Sequence, residues 1–195
     1  AMGVEADPRA GEILLGLARA AIAAGFGSVA RADDSAAWLA DPGAVFVTLT
    51  LNGRLRGCIG TIEPHRSLAR DVTHNARAAA FSDPRFPPLT AAELPRIRIE
   101  VSLLSPTEPL PAGSETDLLG RLRPGIDGLV LSWDGHRGTF LPQVWGQLPD
   151  RQEFLNRLKL KAGLPASFWN PDVKVRRFAV TAWAEPDPDQ QEVTR

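Results

Sequence analysis

The chain has 195 residues, 44% of them hydrophobic and 23% charged, which is the composition of a globular protein long enough to bury a core without metals or disulfides. Its net charge of −1 provides no global field for DNA or anionic lipid, so a nucleic-acid role would need a local basic patch. The single cysteine, Cys58, excludes an internal disulfide and leaves no zinc-type spacing; this fits a reducing cytoplasm, with no metal and no cofactor expected.

Ala1-Met2-Gly3 reads as a cloning remnant, and residues 1–6 as a tail. Asp7-Pro8 predicts a helix start, with Asp as N-cap and Pro at the first helical position. Ile13, Leu14, Leu17, Ala18 and Ala21 then recur at helical spacing up to a C-cap at Gly25. The apolar run Ile13–Phe26 contains Arg19 and has no basic region before it, which argues against a signal peptide; it is too short for a membrane span. Residues 28–43 are polar and irregular, and Asp33-Asp34 reads as part of a solvated loop.

Ala44–Leu51 alternates as a half-buried strand, and Asn52-Gly53 predicts a type I′ hairpin. Arg54–Ile59 returns as a strand that ends in a tight glycine turn around Cys58, flanked by Gly57 and Gly60. A lone cysteine is commonly a small buried hydrophobe. Here Arg54, Arg56 or a nearby helix start would lower its pKa and make it a reactive thiolate. A third reading has the loop binding through its backbone N–H groups, with Cys58 packed beneath.

Ser67 is the N-cap of the next helix, which has Leu68, Val72, Ala76, Ala79 and Ala80 on its apolar face and Arg70, Thr73, His74 and Arg77 on the other. His65, beside the helix start, is a candidate base for Cys58. The free N–H groups at Ser67, with Arg56 and Arg66, would suit a small anionic ligand such as a phosphate or carboxylate.

The stretch Asp83-Pro84-Arg85-Phe86-Pro87-Pro88-Leu89 is a stiff loop in which Asp83 and Arg85 can pair. It is expected to lie beside the cysteine turn. Thr90–Glu93 is a capping box for a short helical turn stopped by Pro95. Ile97–Leu103 alternates as a strand whose Glu100 faces solvent or pairs with Arg56 or Arg85. Residues 106–124 read as a linker carrying a short helix, Ser114–Arg121. Ile126–Trp133 is a strand, Asp134-Gly135 turns it, and residues 136–141 return, with His136 exposed. Asp150 caps a helix containing Phe154, Leu155 and Leu158, in which Lys159 and Lys161 favour the C-terminal dipole. Val173–Ala184 reads as one long strand whose basic stretch, residues 174–177, forms a solvated edge, and residues 186–195 form a second tail.

These pieces together resemble the AMMECR domain, the type called AmmeMemoRadiSam system protein A in prokaryotes. The resemblance rests on Leu55-Arg56-Gly57-Cys58-Ile59-Gly60, residues 83–89, Glu93-Leu94-Pro95, residues 100–104, Gly128-Leu129, residues 139–144 and Lys161-Ala162-Gly163-Leu164, in family order. It implies a single domain over residues 7–185. The implied fold is α+β, a mixed, largely antiparallel sheet flanked by helices with a smaller second lobe. It also implies a shared pathway with a Memo-like protein and a radical S-adenosylmethionine (SAM) protein, beside which prokaryotic members are often encoded, and it centres on residues 55–60.

A site lined by Arg56, Gly57, Cys58, Gly60, Asp83, Arg85 and Glu100 is therefore expected. It would serve a binding or accessory component, or an enzyme using Cys58 as nucleophile or redox thiol on a small anionic substrate. A nucleic-acid binder, using Lys174, Arg176 and Arg177 or the Arg54–Arg66 region, is the reading that net charge opposes.

Overall fold

The computed structural model describes residues 2–188. They divide into two compact units, one of residues 2–104 with 181–188 and the other of residues 105–180. The α+β class holds, with the strands shared between two four-stranded sheets.

In the first unit the strand order is β2-β1-β3-β8, where β1 is Val45–Leu51, β2 Arg54–Gly60, β3 Ile97–Leu104 and β8 Val180–Ala184. β1 pairs antiparallel with both β2 and β3. Asn52 and Gly53 take φ of 53° and 75°, the left-handed pair that a type I′ turn requires. Period-two alternation turns Val45, Val47 and Leu49 toward the same face as Ile97, Ile99 and Val101. All six are buried in one core with the apolar faces of α1 (Ala10–Ala24) and α2 (Leu68–Phe81).

The start of α1 differs from expectation. The helix begins at Ala10, not at Pro8, and Asp7 does not cap it. The Asp7 carboxylate instead accepts the Arg9 N–H at 2.9 Å and the Trp38 indole N–H at 3.0 Å, a partner 31 residues away. The expected tail at residues 1–6 is partly structured, because Val4–Ala6 form a 3-10 turn and Val4 packs on the core. Ser67 caps α2 as its sequence predicts, accepting the Arg70 N–H. Pro95 lies within a 3-10 turn, Leu94–Arg96, and does not stop it, since its missing N–H costs nothing in a first turn. Ala1 and residues 189–195 of the two expected tails lie outside the described residues.

The second unit has strand order β4-β7-β5-β6: β4 is Glu108–Pro109, β5 Gly128–Trp133, β6 His136–Phe140 and β7 Lys174–Phe178. Asp134 and Gly135, at φ of 44° and 80°, close the β5–β6 hairpin. Residues 106–124 are part of this unit and not a linker. Within them β4 pairs with β7, and α3 (Glu115–Arg121), capped by Ser114, buries Leu118. α4 (Arg151–Lys161), capped by Asp150, buries Phe154, Leu155 and Leu158. Trp145 stacks on Phe154 with ring centroids 3.7 Å apart, and its indole donates to the Asp127 carbonyl.

Three expectations are corrected in this region. The single strand Val173–Ala184 is two strands, β7 and β8, in different sheets. The break is at Ala179, whose N–H donates to the Ser105 hydroxyl and whose carbonyl accepts the Ser105 N–H. Second, β7 is not an edge; it lies between β4 and β5, with Arg176 bonded to Thr107 and Arg177 to Glu108. Lys159 stands in the last turn of α4 as its sequence predicts, and there it is buried, ion-paired with Glu115 and donating to the Ala166 carbonyl. Finally, His136 is partly buried, stacked on Trp133 with Nδ1 3.1 Å from the Ala162 carbonyl oxygen.

Candidate functional site

Cys58 does not sit on a turn. β2 runs unbroken through it to Gly60, and neither Gly57 nor Gly60 has positive φ. The glycines serve close approach instead. A Cβ at Gly57 would lie 2.1 Å from the Ala79 carbonyl oxygen, so bare backbone is what lets α2 pack onto β2 there. A Cβ at Gly60 would lie 2.1 Å from the Phe46 ring, which covers this position from its register partner on β1.

β2 is an edge strand, and among the described residues the side of its backbone that faces away from β1 has no neighbouring strand. At Cys58 the Asp83–Leu89 loop supplies the missing partners. The Asp83 carboxylate accepts the Cys58 N–H at 2.9 Å, and Arg85 Nη2 donates to the Cys58 carbonyl at 3.2 Å. Asp83 is itself gripped by Arg85, at 2.8 and 3.0 Å, and by the Arg85 N–H at 3.1 Å. The Arg85 hydrogen bonds, helped by the Cys58 N–H, hold this buried carboxyl well below the usual carboxylate range, against the opposing effect of burial. The cysteine strand and the proline loop therefore lie together as the sequence leads one to expect.

One turn back along β2, the ladder slips. Leu49 faces Gly57 and Thr50 faces Leu55, so Arg56 is the extra residue of a bulge, a frequent device on edge strands. Its buried side chain forks onto Glu93 at 2.8 and 3.2 Å, and Glu93 also accepts from the Thr90 N–H and hydroxyl. These bonds hold the Glu93 carboxyl at about 2. Arg56 Nη1 is buried and without a hydrogen-bond partner among the described residues.

The Cys58 thiol points to the face opposite α2, in register with Thr48 and, beyond it, Glu100. Its sulfur is 3.2 Å from the Thr48 hydroxyl. Burial pushes the thiol pKa up; the Thr48 hydrogen bond and the Arg85 charge act in the other direction and are outweighed. A row of thiol, hydroxyl and carboxylate across three strands can hydrogen-bond a small polar group, but it contains no base paired with the sulfur.

Several expected contacts are absent. Glu100 pairs with neither Arg56, which is on Glu93, nor Arg85, which is on Asp83. His65 is exposed, with Nδ1 3.2 Å from the Glu63 carbonyl oxygen, and no histidine hydrogen-bonds to Cys58 among the described residues. At the start of α2, where an anion site is expected, two backbone N–H groups and Arg66 are engaged from within the chain. Arg70 N–H goes to the Ser67 hydroxyl, Leu68 N–H to the Asp41 carbonyl, and Arg66 to Asp71. Among the described residues no group of three His, Cys, Asp or Glu is placed to hold a metal ion, and no helix is long and apolar enough to cross a membrane.

Two residues were missed by sequence reasoning. Glu93 was read only as half of a capping box, and nothing local ties it to Arg56, 37 residues away. Asp71, in the first turn of α2, is fully buried and accepts from Arg66, the Thr61 hydroxyl and the Val45 N–H.

Comparison with known proteins agrees with this architecture. The AMMECR1 family profile matches residues 15–183. A protein of Methanothermobacter thermautotrophicus is 45% identical over 145 residues, covering 72% of this chain and 74% of that one. A protein of Aeropyrum pernix is 37% identical over 195 residues, covering 94% and 82%. The crystal structure of the uncharacterized protein PH0010 from Pyrococcus horikoshii superposes with a TM-score of 0.83 at 33% identity, covering 92% of this chain and 93% of that one. With the family profile matching residues 15–183 and the fold shared with a solved structure at 33% identity over 92% of the chain, the protein belongs to the AMMECR1 family.

Proposed function

We propose that this protein is a binding or accessory component, working in the cytoplasm with a Memo-like protein and a radical SAM protein, and that residues 55–60 are architecture for that role. One observation supports this reading above the rest. None of the groups expected to activate Cys58 hydrogen-bonds to its sulfur among the described residues: Arg56 is held by Glu93, His65 is at the Glu63 carbonyl, Arg54 is exposed at the start of β2, and the α2 start is capped by Ser67. A nucleophilic thiol needs an adjacent base or a lowered pKa. Here the sulfur's neighbour is a neutral hydroxyl, and burial raises the pKa.

The test is direct binding, by biolayer interferometry, of Memo-like and radical SAM proteins encoded beside the gene, to wild type and to Cys58→Ser. The expected result is binding of at least one partner, with the variant within about twofold of wild type. Failure of both partners to bind would remove the accessory reading. Loss of a measurable turnover in Cys58→Ser, with binding intact, would instead favour a thiol enzyme.

A further inference from the structure

We propose that the solvent face of α2 is a binding site for a small oligophosphate of nucleotide type, separate from the cysteine strand. This face forms a groove of about 590 Å³ whose walls include His65, Arg66, Arg70, Thr73, His74 and Arg77. Five of these six are arginine or histidine, and no Asp or Glu lines the groove. The whole chain carries 22 basic residues against 23 acidic ones, so the segregation belongs to this face and not to the composition.

The helix produces the stripe. Arg70, His74 and Arg77 follow one another within α2 at spacings of four and three residues, which puts them on one side, and Arg66 joins the same groove from the loop before the N-cap. From Arg70 to Arg77 the rise is about 10 Å at 1.5 Å per residue, a length matched to a short phosphate chain. Like charges at this spacing destabilise a helix. Among the described residues, of the cations lining this groove only Arg66 has a carboxylate within ion-pair distance, the buried Asp71 at 2.8 Å.

The groove is also preorganised. Arg66 is fixed by Asp71, Arg77 Nε donates to the Ala21 carbonyl at 3.4 Å, and the His65 ring is set by the Glu63 carbonyl. Between these anchors, the Arg70 and His74 side chains are exposed and make no hydrogen bond or ion pair among the described residues. The donors on offer are therefore side chains; the helix N-terminus is not among them, because Ser67 already takes the Arg70 N–H.

Guanidinium forks match phosphate oxygens bidentately, and three of them in one groove suit several linked phosphates better than a single carboxylate. Ala78 and Phe81 line the same groove and provide apolar contact for the organic part of such a molecule. The groove's volume falls within the range of small-molecule sites, and its basic residues come from one short stretch of chain, not from the long track that a nucleic acid would need.

The test is isothermal titration calorimetry of the full chain with inorganic triphosphate and with ATP, over a range of salt concentrations. The comparison set is wild type, Arg70→Gln/His74→Gln, and Lys174→Gln as a control cation in the other unit. Both probes are expected to bind wild type and to weaken as salt rises, with ATP at least as tight as triphosphate. The double variant should bind at least tenfold more weakly, and Lys174→Gln should match wild type. Should the double variant melt early, Arg70→Gln alone must still weaken binding severalfold. Absence of saturable binding, or equal loss in Lys174→Gln, overturns the proposal. Binding of single-stranded RNA or of an oligoglutamate peptide without binding of either phosphate probe overturns it as well.

Discussion

At the scale of single residues, Cys58 behaves as a structural thiol, because two opposing electrostatic effects meet there and burial is the larger. Iodoacetamide should accordingly label native protein more slowly than a free-cysteine peptide at every pH between about 6 and 9. Labelling as fast as the peptide, with a midpoint below the free-thiol value of about 8.5, would contradict this assignment. Gly57 carries a heavier structural duty than the cysteine beside it. Any Cβ there meets the backbone of α2 at 2.1 Å, and backbone cannot rotate aside as a side chain does. Gly57→Ala is expected to cost about 2–3 kcal/mol through overpacking, read as a lowered urea midpoint at unchanged slope. An unchanged midpoint would mean that α2 and β2 separate at little cost.

At the scale of elements, the segment from Asp83 to Glu93 stabilises an edge strand. Asp83 and Arg85 stand in for an absent neighbouring strand, and Glu93 receives the bulged Arg56. Both carboxyls have folded-state pKa values below their ordinary 3.8 and 4.5, so their stabilisation is complete above those values and is lost as pH falls toward the folded ones. For Glu93 the window runs from 4.5 down to about 2. Wild type should therefore lose stability on acidification through that window, and Glu93→Gln should lose less of what remains to it. Urea midpoints measured at several pH values check this; parallel declines for the two proteins would show that the Arg56–Glu93 pair contributes nothing to acid sensitivity.

At the scale of the whole molecule, residues 105–180 form a contiguous unit with their own sheet, helices and core. A fragment of these residues is expected to unfold cooperatively in urea, followed by the fluorescence of Trp133, Trp145 and Trp169. A gradual, non-sigmoidal change would show that this core needs the rest of the chain. The first unit has no such independence, because it takes β8 from the C-terminal end. Glu185, just after β8, accepts two hydrogen bonds from Arg19 at 2.7 Å each and one from the Ile99 N–H.

What the chain by itself determined were the features with local causes. The alternation of β1 and β3, the Asn52-Gly53 turn, and the caps at Ser67 and Asp150 each depend on residues within a few positions, and each stands where its sequence puts it. What only the tertiary structure decided were the partners. Whether Arg56 activates a thiol or grips Glu93, whether Lys159 pairs with Glu115, and whether residues 173–184 are one strand or two depends on groups far away in sequence. The same holds at the cysteine. Gly57 and Gly60 read as a turn because glycine permits one, but glycine also permits close packing, and the approach of α2 and Phe46 selected the second use.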